Sequence, residues 1–190
     1  MSIATVAVTT TRKAPFTTNA MKMNLPQRQG TKPRTTSRLP HSQLDQHGSD
    51  DVVKKLHQWC FSSLPHVENQ PSGISVPGAR ALVLQENLPS SSSTSSSCSC
   101  CNPNAFMVGR EFAHIHPAPD NGSMHVQLPA SEAKEVVEAG WGEDHYLVTQ
   151  GHYPPGLIMV FSPRTDDELE TVKKIVTHSY EFATGKSMEK

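Results

Sequence analysis

The sequence has few aromatic residues, no long hydrophobic run and almost no excess charge, and each shortage excludes a class of protein. Its 190 residues are 35% hydrophobic and 6% aromatic, and no window approaches the roughly 18 consecutive apolar residues that a transmembrane helix needs. The formal net charge of −1 gives no electrostatic reason to bind nucleic acid. We therefore expect one ordinary domain with unpacked segments, and neither a membrane nor a nucleic acid as partner.

Cysteine is also scarce and unevenly placed. Three of the four cysteines, Cys98, Cys100 and Cys101, follow a serine-rich tract, so they do not form the disulfide framework of a small secreted domain. They also lack the paired C-x₂-C spacing of a zinc site. The tract predicts a flexible insertion at about 89–103. Because no apolar segment follows Met1, a secretory signal is not expected, and we expect a soluble intracellular protein.

Acidic residues are missing from the first part of the chain. Residues 1–44 carry seven Lys and Arg and neither Asp nor Glu. This composition is typical of a disordered basic tail or of an organelle transit peptide, and the second interpretation would place the protein in mitochondria or plastids rather than the cytoplasm. We therefore predict a tail over 1–48 and a folded domain over 49–185.

Hydrophobic periodicity predicts the elements of this domain. A helix starts at the capping residue Ser49, and a final helix starts at the T-x-x-E capping box of Thr165. Between these helices we expect short strands over 74–76 and 79–84, a β-hairpin over 111–128, a helix from about 130 and a buried strand over 156–162. Cys60 falls on the apolar face of the first helix, as a buried structural thiol would. The pattern predicts an α+β fold in which helices pack on one face of a mostly antiparallel sheet.

The hairpin concentrates histidines on one face. Period-2 alternation places Phe112, His114 and His116 on the same side of the first strand. A symmetric turn puts His114 opposite His125 on the second strand, with Cβ atoms about 4.5–5.5 Å apart. Three imidazoles in this arrangement could ligate a divalent metal, or act as acid, base and hydrogen-bond donors around an organic substrate. They could also form a solvated polar surface.

A second cluster lies in the run from Gly140 to His145. Its two glycines permit unusual backbone angles around Trp141, and Glu143 and His145 could add a carboxylate and a fourth imidazole to the same pocket. The alternative is a helix C-cap followed by a loop. Arg164 could bind an anionic group of a substrate or screen the acids that follow it.

These motifs in this order resemble the luciferase-domain family, which includes the fungal luciferases. The resemblance covers roughly 52–88 and 104–184, and it rests on the segments R-E-F-A-H-I-H at 110–116, S-M-H at 123–125, G-W-G-E-D-H at 140–145 and F-S-P-R at 161–164. The serine- and cysteine-rich insertion departs from the family pattern. So does the polar basic N-terminus, where fungal luciferases carry a membrane segment.

The resemblance implies chemistry that the spacing alone does not specify. Fungal luciferases oxidise a hydroxypyrone with O₂ through a peroxidic intermediate that loses CO₂ and emits light, and no cofactor is generally assigned to the step. By analogy, His114, His116, His125 and His145 would be the catalytic histidines, and Trp141, Glu143 and Arg164 would contact a small-molecule substrate. This implies a cofactor-independent, monooxygenase-like oxidoreductase, from which we do not expect light.

Overall fold

The computed structural model describes residues 22–86 and 101–185. Its centre is a six-stranded sheet in which every neighbouring pair is antiparallel, with the spatial order β1-β2-β3-β4-β6-β5. The strands are β1 Val67–Pro71, β2 Arg80–Leu84, β3 Glu111–Ile115, β4 Met124–Gln127, β5 Gly142–Asp144 and β6 Leu157–Val160. The helices are α1 Asp50–Ser62, α2 Ala130–Glu138, α3 Tyr146–Thr149 and α4 Asp166–Thr184. The predicted α+β fold is confirmed.

The two long helices begin at the predicted capping residues. The Ser49 side chain accepts a hydrogen bond from Val52 N–H at the start of α1, and the Thr165 side chain accepts one from Glu168 N–H at the start of α4. The hydrophobic core lies between the sheet and α1, α2 and α4. Cys60 is fully buried there, as predicted, and burial raises the pKa of its thiol. Among the described residues, no helix combines the length and the apolar character that a bilayer crossing requires.

The expected strand over 74–76 is wrong. These residues lie in the turn that joins β1 to β2, where Ser72 N–H donates to Ala79 C=O and Ala79 N–H donates to Val76 C=O. Strand β1 was not predicted, because its sequence V-E-N-Q-P shows no alternation and its residues are mostly exposed. The short elements β5 and α3 were also not predicted, since three or four residues give too little periodicity.

A bulge in β3 changes which residues face the histidines. Leu82 pairs with Ala113 but Val83 pairs with Glu111, so Phe112 is an extra residue in the ladder. The prediction that Phe112 shares a face with His114 is therefore wrong. Phe112 is buried in the core with its ring 6.2 Å from that of Tyr180. Glu111 instead lies beside His114.

Residues 22–48 pack on the sheet, and we call them the covering segment. Met23 is 1% exposed and its N–H donates to the carboxylate of Glu135, while Pro26 C=O accepts from the indole of Trp141. The Gln43 side chain accepts from Ser162 N–H. The prediction of a disordered tail is therefore wrong over 22–48. The covering segment is held by contacts of single residues that follow no periodic pattern. Neither composition nor periodicity predicts such contacts. Residues 1–21 lie outside the described residues, as do 89–100 of the insertion predicted over about 89–103.

Candidate functional site

The register of four strands builds one row of side chains across the sheet. His114 pairs with His125, as the hairpin predicted, and His125 pairs with Met159 on β6. Met159 in turn pairs with Glu143 on β5. Since directly paired residues point to the same side of a sheet, this row lies opposite the core residues Val126 and Ile158. The sheet thus carries a polar row on the face away from its helices.

His125 is at the centre of a cluster of five imidazoles. Its ring centroid lies 4.4 Å from that of His145, 4.6 Å from His116 and 5.0 Å from His114. The fifth ring is His41 of the covering segment, which stacks on His125 at 5.4 Å. All five side chains are buried. The structure therefore brings together the four predicted histidines and adds one from the supposed tail.

A hydrogen-bonded chain fixes the proton positions on two of these rings. Glu111 Oε1 lies 2.7 Å from His114 Nδ1, and His114 Nε2 lies 3.0 Å from His125 Nδ1. Burial alone would raise the pKa of Glu111, but hydrogen bonds from His114, Gly73 and Ser72 lower it. Because the ionised carboxylate only accepts, neutral His114 donates from Nδ1 and accepts at Nε2 from His125. His125 then carries its lone pair on Nε2.

The Nε2 atom of His125 has no hydrogen-bond partner although it is buried. Burial lowers the pKa of His125 well below its ordinary value, and the neighbouring imidazoles lower it further. The ring is therefore neutral near pH 7. An unpartnered lone pair in a buried site costs free energy unless a ligand uses it, so this atom marks the place where a ligand would bind.

Two further carboxylates orient two of the remaining rings, His116 and His41. His116 Nδ1 lies 2.6 Å from Asp120 Oδ2 and 3.1 Å from the hydroxyl of Ser123. His41 Nε2 donates to Glu143, which also pairs with Lys32. Burial would raise the pKa of Glu143, but these hydrogen bonds and one from Thr35 lower it to about 2.

His41 resembles His125 in having a ring nitrogen without a hydrogen-bond partner. His41 Nδ1 is buried without a hydrogen-bond partner, so both unpartnered ring nitrogens belong to a stacked pair of rings, 14° from coplanar. His145 differs, because its Nδ1 accepts from Leu147 N–H at the start of α3. In its neutral form His145 therefore presents an Nε2–H donor. Burial and nearby imidazoles lower the pKa of His145 to about 4.

Among the residues that the structure describes, two groups of three histidines have ring nitrogens close enough to share a metal ion. The nitrogens of His114, His116 and His125 lie within 4.8 Å of one another, as do those of His41, His125 and His145. His125 belongs to both groups. In the first group, carboxylates hold the Nδ1 atoms of His114 and His116, which is the usual support of a metal-binding imidazole.

Two other predicted site residues lie elsewhere. Trp141 is buried in the core with its indole bonded to Pro26. Arg164 forms an ion pair with Glu168 and donates to Gln29 C=O. Neither joins the histidine cluster, whereas Glu143 contacts it through His41.

Sequence reasoning missed three residues of the site, each for a different reason. Glu111 was not predicted, because strict alternation puts it on the face opposite His114 and no sequence pattern indicates the bulge. Asp120 lies between the two strands of the hairpin and was not predicted, although it is at i+4 from His116, with which it pairs. His41 was assigned to the tail, and its only signal was a histidine that no periodic element explained.

Residues 109–179 match a family model described as Luciferase domain. Luciferases of Armillaria mellea and Armillaria gallica are each 27% identical over 171 residues, covering 85% of this chain and 62% of those proteins. A luciferase of Neonothopanus nambi is 35% identical over 78 residues, covering 40% of this chain and 29% of that protein. The chain thus spans less than two thirds of these relatives. No solved structure matches significantly.

Proposed function

Because this chain carries a luciferase domain over residues 109–179, as its sequence motifs indicate, we propose that it is a small O₂-dependent oxidative enzyme. Its substrate is an aromatic or hydroxypyrone-like compound that binds against the histidine cluster. The similarity to fungal luciferases supports this substrate class. The shared region is only part of those proteins, and light emission is not part of the proposal.

The observation that carries the proposal is the unpartnered Nε2 of His125. Its lone pair is fixed by the Glu111–His114–His125 chain, which resembles the way a carboxylate orients a catalytic histidine in other enzymes. We assign His125 as the general base that removes the proton of a substrate enol. The proton arrives on Nε2, and the positive charge is shared along the chain toward the Glu111 carboxylate.

The enolate formed in this way carries the electrons for the oxidation. It transfers them to O₂, the oxidant, and a carbon–oxygen bond forms to give a peroxide on the substrate. The Nε2–H of His145 would donate to the enolate oxygen while its negative charge develops. Burial of all five imidazoles strengthens these interactions because it lowers the local dielectric constant.

An oxygen-electrode assay tests the proposal. The full chain is mixed with a panel of hydroxypyrones, and we expect O₂ consumption that His125→Gln lowers by about 10²-fold or more. His152→Gln is the matched control, because His152 is exposed and outside the cluster. O₂ consumption that survives His125→Gln unchanged would contradict the assigned base.

A second candidate is a non-catalytic metal-binding protein. The carboxylates on the Nδ1 atoms of His114 and His116 favour it, because a ring held at Nδ1 would ligate a metal through Nε2. Metal binding requires His114 to lose its hydrogen bond from His125, since the lone pair on His114 Nε2 cannot accept that bond and bind a metal at the same time. Metal analysis of the purified full chain decides: stoichiometric zinc, iron or copper that is lost in His114→Ala supports this candidate, and wild-type protein without bound metal contradicts it.

A further inference from the structure

A cavity lies between the covering segment and the edge of the sheet at β5. Its volume is about 270 Å³, and its lining includes Arg28 and Lys32 of the covering segment, Gly140 and Gly142, and Phe161. None of the five clustered histidines lines it. The cavity is therefore distinct from the site proposed above, although Glu143, the neighbour of Gly142, contacts the histidine cluster through His41.

Arg28, one of the residues that line this cavity, has unused hydrogen-bonding capacity. Its side chain is 2% exposed, yet Nε and Nη2 have no hydrogen-bond partner. The nearest carboxylate oxygen, Oε2 of Glu168, is 3.7 Å from Nη2, which is too far for a hydrogen bond. The Nε–H and Nη2–H groups form one edge of the guanidinium. This edge donates two parallel hydrogen bonds to a carboxylate or phosphate in bidentate pairs.

The charged side chains around the cavity have an excess of one positive charge, which favours binding of an anion. Glu168 is shared between Arg28 and Arg164, and Lys32 is paired with Glu143. One positive charge therefore has no counter-charge of its own in this group. Burial lowers the pKa of Arg28, as expected for a guanidinium that has lost water without gaining a full ion pair.

Aromatic rings hold the guanidinium in place. Its Cζ atom lies 5.5 Å from the centroid of Phe161 and 6.0 Å from that of Trp141, within the range of cation–π attraction. The backbone N–H of Arg28 donates to Ala139 C=O, which anchors the residue to the end of α2. The donor edge is thus preorganised, which lowers the entropic cost of binding.

We propose that Arg28 is the receptor for an oxyanion, a carboxylate or phosphate group of a small ligand, bound by its Nε–H and Nη2–H groups in this cavity. The site needs none of the histidine chemistry, so it stands whether or not the chain is an oxidative enzyme. Arg28 thus has the anion-binding role that the sequence suggested for Arg164. The guanidinium of Arg164 is already paired with Glu168 and hydrogen-bonded to Gln29 C=O.

Two probes test the site in the full chain: sodium phosphate and sodium acetate, each compared with sodium chloride at equal ionic strength. We expect at least one of them to bind saturably by calorimetry and to shift the Arg28 Nε–H resonance in NMR spectra. A response to phosphate alone assigns a phosphoryl ligand, and a response to acetate alone assigns a carboxylate.

Variants of two arginines in the same segment provide the contrast. Arg28→Lys keeps the charge but removes the bidentate edge, so affinity should fall about tenfold or more. Arg34→Lys should bind like the wild type, because Arg34 is exposed and paired with Asp45. Equal binding by Arg28→Lys would overturn the proposal. If that variant does not fold, the wild-type spectrum decides, and an Arg28 Nε–H resonance that neither anion moves overturns it equally.

Discussion

His41 stacks on His125, with ring centroids 5.4 Å apart and planes 14° from parallel. The two residues come from parts of the chain with no local connection: an irregular segment ahead of the first helix, and the fourth strand of the sheet. The stacking closes the histidine cluster from the side that the helices leave uncovered. The covering segment therefore has two roles, because it buries the polar face of the sheet and supplies one of its imidazoles.

The first prediction concerns the docking of this segment. Met23→Ala should lower the free energy of unfolding by about 2–5 kcal/mol, since Met23 is 1% exposed and its truncation leaves a cavity in the core. Leu44→Ala is the matched control, because Leu44 is 50% exposed, and its effect should stay within about 0.5 kcal/mol. Urea unfolding of the full chain measures both. A Met23→Ala effect as small as that of Leu44→Ala would mean that the Met23 side chain does not anchor the segment.

The fold was largely predictable where the sequence is periodic. The helices α1 and α4 begin at Ser49 and Thr165 as predicted, because a capping side chain followed by an amphipathic stripe is a strong local signal. The hairpin register followed from alternation and turn length. The covering segment could not be found in this way, because its irregular backbone is held by single contacts such as Gln43 to Ser162 N–H.

The site was predictable in part for the same reason. Alternation places His114 and His125 opposite each other whatever the tertiary contacts. In contrast, the position of Glu111 depends on a bulge, and that of His41 on packing between distant segments. Two of the three carboxylates that orient the imidazoles, Glu111 and Asp120, were thus not predicted, although they help to determine the tautomers on which the chemistry of the site depends.

A second prediction tests the orienting role of Glu111. In Glu111→Gln the amide no longer forces Nδ1 of His114 to donate, so the lone pair of His125 loses its fixed position on Nε2. Turnover of any hydroxypyrone that the wild type oxidises should fall about 10²-fold. Imidazole ¹⁵N NMR should show a changed tautomer at His125, a signal that a purely structural role would not move. Glu170→Gln, at an exposed position on α4, should change neither.

The third prediction is that, as the pH is lowered, the protein begins to lose stability at a higher pH than carboxylate titration alone would cause. The pKa values of His114, His125 and His145 are lowered by folding, so below about pH 6.5 the unfolded chain takes up protons that the folded chain does not. Stability is therefore fully present above about pH 6.5 and falls as the pH drops toward 4, the pKa of His145. Loss of the Glu143 and Glu111 interactions adds to this below about pH 4.5.

Urea midpoints measured between about pH 7.5 and 5 check this dependence. His145→Gln should make the slope of stability against pH shallower, because it removes one of the suppressed protonation sites. His152→Gln should keep the wild-type slope, since His152 is exposed. A midpoint that does not change over this interval would contradict the lowered pKa values.

The last prediction concerns Gly142, the second glycine of the G-W-G motif. A Cβ atom at this position would lie 2.3 Å from the backbone carbonyl oxygen of Met159 on β6, and no rotamer change can relieve a clash with the backbone. Gly142→Ala should therefore push β5 away from β6 and lower the free energy of unfolding by about 2 kcal/mol or more. Gly73→Ala should cost less, since its Cβ would meet side-chain atoms rather than backbone: a methyl group of Val108 at 3.3 Å and Oε2 of Glu111 at 3.9 Å. Because Glu143 follows Gly142 directly, the shift should also weaken the hydrogen bond from His41, visible as a changed His41 resonance. A stable Gly142→Ala variant with an unchanged His41 signal would show that β5 does not hold the covering segment in place.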